Sequence, residues 1–349
     1  MTRGGLSTPG DPLRARLIGT LWVIVPIWFV VISVIRLSTY LPYEPGYDGM
    51  LYRTATVSWM QGQDPWVAPA VGAAFAAPPP TLLAMVPFAL IPEPVARVAL
   101  LVLGVVASVW MIRRLRMPIW WLAFPPLVDG LYIGNPHIFI APLLVAGLAP
   151  IAGFLKLYAL AVPALRLDVR ALVITGVLLV VTIPLLPWGQ FVADWPQIND
   201  ALRRQAGGTG LSVWATPWLL PVAVAAAVLI GRERLAWLSV PVFWPFTQWY
   251  YAAMALPGVT PLAAMALATP VAGATTVALV IAVVELYWRA RSTGRSELLR
   301  WRPRPEAGRG ATPGPRPWPT PDPRPAADLD SAAEPPLAPP PVSGDRASD

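Results

Sequence analysis

Long uncharged apolar runs alternate along this chain with short basic clusters and two longer polar segments. Residues 17–35 form the first run, long enough as a helix to cross ~30 Å of hydrocarbon. Arg3, Arg14 and Arg16 precede it and place the N-terminal residues 1–16 in the cytoplasm. The polar segment 37–80 is then an outer loop, in which residues 48–61 can form an amphipathic helix. Residues 81–112 return inward to Arg113, Arg114 and Arg116, broken at Pro87, Pro92 and Pro94 into a half-helix and a full helix. Residues 119–133 go outward to a Gly134-Asn135-Pro136-His137 turn, and 138–165 return with breaks at Pro142, Pro150, Gly153 and Pro163. Residues 171–187 lead to a second outer loop, 188–212, and 213–231 lead back to Arg232-Glu233-Arg234. The uncharged stretch 235–284 fits a hairpin of two spans turning near Pro257-Gly258. The pattern predicts an all-α polytopic membrane protein of about eight to ten transmembrane helices, with both termini cytoplasmic and its membrane domain within 17–289.

Composition agrees. Only 13% of the 349 residues are charged, about half the share in a soluble domain. Mean hydropathy is +0.56. The net charge of +7 raises the question of nucleic acid, but most arginines flank apolar runs or lie in the tail, so no nucleic-acid partner is expected. From Ser296 the chain turns rich in Pro, Ala, Arg and Asp without apolar periodicity, which predicts a disordered tail over 296–349. Its Pro/Arg stretches could bind partners in extended form, a scaffold role that would need no catalysis. The abundance of arginine, proline and alanine points to a bacterial chain, and the apolar runs to its plasma membrane.

The chain lacks cysteine, which removes thiolate chemistry of every kind. Its single histidine is His137 and its single lysine is Lys156. Asp48 follows the first apolar run beside Tyr47 and Tyr52, whose rings suit the interface and sugar faces. It can serve as a general base toward a hydroxyl, or merely cap a helix N-terminus. Lys156 interrupts an apolar run; its ammonium suits a phosphate, or it snorkels toward headgroups. His137 can contact phosphate or hydroxyl, or sit as a satisfied interfacial histidine. Asp129 within a span suggests function or an arginine partner, with a structural role favoured. Asp64 reads as a turn residue. Arg203 and Arg204 could clamp a lipid phosphate, though surface charges are the simpler reading. A divalent cation shared by Glu44 and Asp48 stays open. No nucleotide-binding or nucleophile-elbow motif is present.

Taken in order, these features resemble a known family. Asp48, Tyr52, Gly62-Gln63-Asp64-Pro65-Trp66 and Pro78-Pro79 resemble the first outer loop of the bacterial DUF2029 group. These are GT-C polyprenyl-phosphate-mannose-dependent α-mannosyltransferases of glycosyltransferase family 87. Gly134-Asn135-Pro136-His137 resembles that family's Gly-Gln-x-Asn turn, and Lys156 with Pro163 its Lys-x-x-Pro segment. The chain departs from the pattern at Ala76-Ala77, which precede Pro78 where the family has an aromatic, and in the wider Lys156–Pro163 spacing.

The resemblance implies a GT-C-like bundle and transfer of a sugar, mannose first, from a polyprenyl-phosphate donor to a lipid-linked or cell-envelope glycan on the outer face. Asp48 would be the base, with inversion. Lys156 and His137, then Arg203 and Arg204, would hold the donor phosphate, while Tyr47, Tyr52, Trp66 and Asn135 would line the sugar and acceptor. No resident cofactor is implied. The competing expectation is a non-catalytic carrier of lipid-linked sugars, or an envelope-assembly partner with the same fold.

Overall fold

The apolar runs fold as helices, but proline cuts most of them short. A computed structural model describes residues 12–66, 75–207 and 210–293, which contain helices and turns and no strand. The expectations for residues 1–11 and for the tail from Ser296 lie outside the described residues. All described residues belong to one compact unit.

In chain order the first helices are α1 (Pro12–Ser38), α2 (Tyr47–Met60), α3 (Pro80–Ala89), α4 (Glu93–Arg114) and α5 (Pro125–Ile133). There follow α6 (Ile140–Val145), α7 (Ala149–Leu155), α8 (Ala161–Arg166), α9 (Val169–Thr182) and α10 (Trp188–Ala193). The last are α11 (Trp195–Gly207), α12 (Leu220–Ile230), α13 (Arg232–Phe243), α14 (Pro261–Leu267) and α15 (Ala274–Thr293). Tight 3-10 turns fill Ile119–Ala123, Pro136–Phe139, Leu157–Leu160 and Trp249–Ala255.

The half-helix and full helix expected over 81–112 are α3 and α4, separated at Pro92, but the break expected at Pro87 is corrected: that residue lies inside α3, near its end. The breaks expected within 138–165 are present, whereas the single span expected over 119–133 and the two-span hairpin expected over 235–284 are corrected. Among the described residues only α4, at 22 residues, is long and apolar enough to cross a membrane; seven further apolar helical segments run 10–17 residues. The run 119–133 becomes a 3-10 turn and α5, because Pro125 and Pro126 can only open a helix. The run 138–165 divides into α6, α7, a 3-10 turn and α8. The hairpin over 235–284 is instead α13, a seven-residue 3-10 segment, α14 and α15. Arg232 and Glu233 form the first turn of α13 rather than a loop before it.

Side chains pack into three clusters. The largest joins Phe29 of α1 to Trp121, Phe124 and the apolar faces of α12 to α15. A second gathers Tyr158, Trp237, Tyr250, Tyr251 and Met254. A third holds α2 to α3 and α4 through Met50, Leu51, Leu82 and Leu100. Outside these, Val30 and Val34 of α1, Val98, Val102 and Val105 of α4, and Val173, Val177 and Val180 of α9 are exposed. Each set recurs at three- or four-residue spacing and so forms one continuous apolar helix face.

Two contacts position the elements that matter for chemistry. Arg36 at the end of α1 pairs with buried Asp129 of α5 at 3.0 Å and donates to the Tyr40 hydroxyl at 2.6 Å. Asp129 thus has the arginine partner that its place in an apolar run demanded. The second contact is a close backbone approach. Gly46, with φ of 81°, is the N-cap of α2, and its N–H donates to the Tyr132 carbonyl at 2.7 Å. Gly134, with φ of 69°, closes α5. A Cβ on Gly134 would lie 2.9 Å from the Gly46 Cα, and one on Gly49 would lie 2.7 Å from the Gly134 carbonyl oxygen. Only glycine lets the start of α2 lie against this turn. Arg53 holds the other side of α2 by donating to the Phe88 and Ile91 carbonyls at 3.0 and 2.9 Å, which closes the C-terminal end of α3.

Gly49→Ala is therefore expected to destabilise the protein by about 1–3 kcal/mol, since the nearest atom it meets is the Gly134 backbone carbonyl oxygen. Gly176→Ala in α9, where an added Cβ meets nothing within 4 Å, should stabilise by about 0.5–1 kcal/mol. Thermal unfolding of the purified variants reads both signs.

Candidate functional site

Docking α2 on the Gly134 turn brings distant polar residues into one cluster. Asp48 is the second residue of α2, and it does not cap the helix: Gly46 occupies that position and no side chain bonds the first turn. The carboxylate instead accepts a 2.6 Å hydrogen bond from the Asn135 side-chain amide. The capping alternative is thereby excluded. Asn135 is itself locked. Its Oδ1 accepts the His137 backbone N–H at 2.8 Å, so its NH2 group must face the other way. That group donates to Asp48 and to the Tyr250 hydroxyl at 3.0 Å, with the Tyr52 hydroxyl at 3.5 Å.

Lys156 breaks the helical path. It is extended, with φ of −143° and ψ of 109°, between α7 and the following 3-10 turn. This turns its side chain inward, where the ammonium donates to the Tyr52 hydroxyl and lies 4.4 Å from the centre of the same ring. The preceding carbonyl, of Leu155, accepts from Thr81 Oγ1 at 2.6 Å, which ties this bend to α3. Lys156 is 5% exposed and does not snorkel. One N–H of three is used by Tyr52.

His137 forms the next layer. Its Nδ1 is 2.6 Å from the Tyr158 hydroxyl, and its ring stacks on Tyr251 at 4.5 Å with 13° between planes. Its Nε2 is buried without a hydrogen bond. Tyr158, Tyr250 and Tyr251 complete an aromatic wall, with Tyr158 4.9 Å and Tyr250 4.9 Å from Tyr251. Sequence reasoning missed all three. The signals were present: Tyr158 is two residues from Lys156, and Trp249-Tyr250-Tyr251 is a lone aromatic triplet in an uncharged stretch.

Asn135 and His137 are 2% exposed, whereas Asp48 is half-buried, so the carboxylate is the member of the group with contact to solvent. Crowding by protein atoms pushes its pKa above the ordinary carboxylate value. The Asn135 hydrogen bond and the Lys156 charge oppose this, and Asp129 adds to it. The N-terminal end of α2 also favours the ionised form.

The other expected residues lie apart. Tyr47 packs beside Asp48 in a ring group with Tyr40 and Tyr43, at 6.3 and 5.3 Å. Trp66 is buried against Phe75 and Phe191 and donates to the Ala77 carbonyl at 3.1 Å, which leaves it structural rather than sugar-facing. Asp64 accepts the Trp66 N–H at 2.8 Å, as a turn residue should. Arg203 and Arg204 are exposed on α11 and form no hydrogen bond or ion pair with the cluster. Glu44 pairs with Arg97, which takes it away from a cation shared with Asp48. Among the described residues no three metal-ligating side chains converge.

The geometry supplies a partly accessible carboxylate, a buried ammonium and a wall of phenols at the end of an apolar bundle. No protein-family model matches the chain, and no curated protein or solved structure is significantly similar to it.

Asn135→Leu strands the Asp48 carboxylate, the His137 N–H and the Tyr250 hydroxyl together. It should lower stability by about 3 kcal/mol, the scale for unmet buried polar groups. The double change Arg203→Gln with Arg204→Gln should stay within about 0.5 kcal/mol of the parent. Melting curves of the three proteins check the contrast.

Proposed function

We propose that this protein is a membrane-embedded glycosyltransferase. It moves a sugar, mannose first, from a polyprenyl-phosphate donor to a glycolipid or cell-envelope glycan at the outer face. The observation that carries this reading is the pairing of Asp48 with Lys156 across Tyr52 and Asn135, at the start of a helix outside the apolar spans. The order of motifs shared with the GT-C α-mannosyltransferases agrees with it.

In this mechanism the acceptor hydroxyl attacks the anomeric carbon while Asp48 takes its proton. The new C–O bond forms as the bond from carbon to the phosphate oxygen breaks, and that electron pair leaves with the lipid phosphate. Inversion follows from a single displacement. The leaving group is already stable as an anion, so the protein needs only a base and a positive charge. Lys156 supplies the charge through the two N–H groups that Tyr52 leaves free. Asn135 holds the base, and Tyr52 and Tyr250 border the space the sugar would enter. The cluster is closed around Lys156, so donor entry requires α2 to move outward.

The membrane part of the reading rests on α4 and on the exposed apolar faces of α1, α4 and α9, which water would penalise. Exposed aromatic residues flank them: Tyr43, Trp195, Trp214 and Trp218 on the side read as outer, Trp110 and Trp288 toward the opposite end. The shorter helices cross as broken spans, their freed backbone groups met by neighbouring helices.

Asp48→Asn should retain the fold and lower transfer from labelled polyprenyl-phosphate mannose by roughly 100- to 10,000-fold. Transfer at the parent rate would remove the base assignment, and flipping of the labelled lipid without transfer would favour the carrier reading. The pH profile gives a second check. Ionised Asp48 is the active form and its pKa is raised, so the acid limb of kcat/KM should lie above the ordinary aspartate value of ~3.9. Asn135→Ala removes a bond that favours the carboxylate, so the limb should move to still higher pH.

A further inference from the structure

The basic end of α4 gathers three exposed arginines beside an apolar face. Val105, Val109, Trp110, Arg113, Arg114 and Arg116 line a groove of about 550 Å³. It is shallow and open, with valine and tryptophan side chains along α4 and three arginines at its end. All three arginines are exposed, and none forms an ion pair or hydrogen bond through its side chain among the described residues.

The backbone adds an independent observation. The Arg116 N–H bonds the Arg113 carbonyl and the Met117 N–H bonds the Ile112 carbonyl, each at 3.0 Å. This paired closure places its left-handed residue at Arg116, with φ of 54°. Glycine is the residue that fits there without strain, and an L side chain is disfavoured. The strain holds a third guanidinium at the end of the groove, where glycine would leave two.

We infer that this groove binds an anionic phospholipid, with its phosphate on Arg113, Arg114 and Arg116 and an acyl chain along Val105, Val109 and Trp110. Charge complementarity selects the headgroup: three cations stand together with no carboxylate paired to them. The valine and tryptophan side chains select a chain-bearing lipid over a soluble anion. The site lies at the end of α4 opposite Glu93, whose Arg97 contact reaches back to the loop before α2. It is therefore separate from the Asp48 cluster. The inference rests on the membrane part of the proposed function and is independent of sugar transfer.

The test uses the purified full-length protein in nanodiscs of equal phosphatidylglycerol and phosphatidylcholine, with native mass spectrometry of the lipids it retains. The parent should retain phosphatidylglycerol in excess. Arg116→Gly should lower that excess about five-fold, the effect of one arginine at an anionic surface, and the triple change of all three arginines to Gln on the order of a hundred-fold. Arg116→Gly should also raise the thermal midpoint, which separates lost binding from lost folding. Arg203→Gln with Arg204→Gln should retain the parental excess. Equal retention of both lipids by the parent, or a parental excess in the arginine variants, would overturn the inference. Failure to enter bilayers of either lipid would instead sink the membrane reading beneath it.

Discussion

The close backbone contact between the start of α2 and the Gly134 turn is the constraint on which the rest of the site depends. Three glycines allow it, at positions 46, 49 and 134. Without that approach Asp48 would be an ordinary surface carboxylate near a helix end. With it, Asp48 lies 2.6 Å from an amide whose orientation is set by the very next turn. Asn135 thus converts a backbone contact into a fixed side-chain geometry. The same turn carries His137 inward to the tyrosine wall.

Charge sets a second constraint. Among the described residues two oppositely charged sets matter for the site, Arg36 with buried Asp129 and half-buried Asp48 with buried Lys156, and they are arranged differently. Arg36 and Asp129 are in direct contact at 3.0 Å and brace α1 against α5. Removing one partner of such a pair leaves a buried charge and costs several kcal/mol, which fits a structural role. Asp48 and Lys156 are instead joined through a chain of contacts, Asp48 to Asn135, Asn135 to Tyr52 and Tyr52 to Lys156, without an ion pair between them. Separated charges with unused hydrogen-bonding capacity are available to a ligand, and that separation distinguishes a site from a brace.

Much of the site was legible in the sequence because its members are rare residue types. A single lysine and a single histidine in an apolar chain stand out, and Asp48, Tyr52 and Asn135 belong to recognisable turns. The tyrosines at 158, 250 and 251 were not legible, because aromatic residues are common in apolar segments and only long-range packing shows which face inward. Trp66 and the Arg203-Arg204 pair misled for the converse reason: residue type suggests a role that burial, or the absence of a bond to the cluster, does not support. The helix pattern fared unevenly. Where proline fell between two apolar runs, as at Pro92, the break was visible. Where prolines fell inside a run, as at Pro125-Pro126, hydropathy suggested one span and backbone chemistry produced a 3-10 turn and a short helix.

The proposed sugar transfer by Asp48 and Lys156, assembled by α2 and the bend at Lys156, has a direct readout in the cell envelope. Mass spectrometry of envelope glycolipids from cells with and without the gene tests it most directly. Deletion should remove a single hexose increment from one glycolipid class, and the intact gene should restore it. An unchanged glycolipid profile in the deletion strain would contradict the proposed transfer.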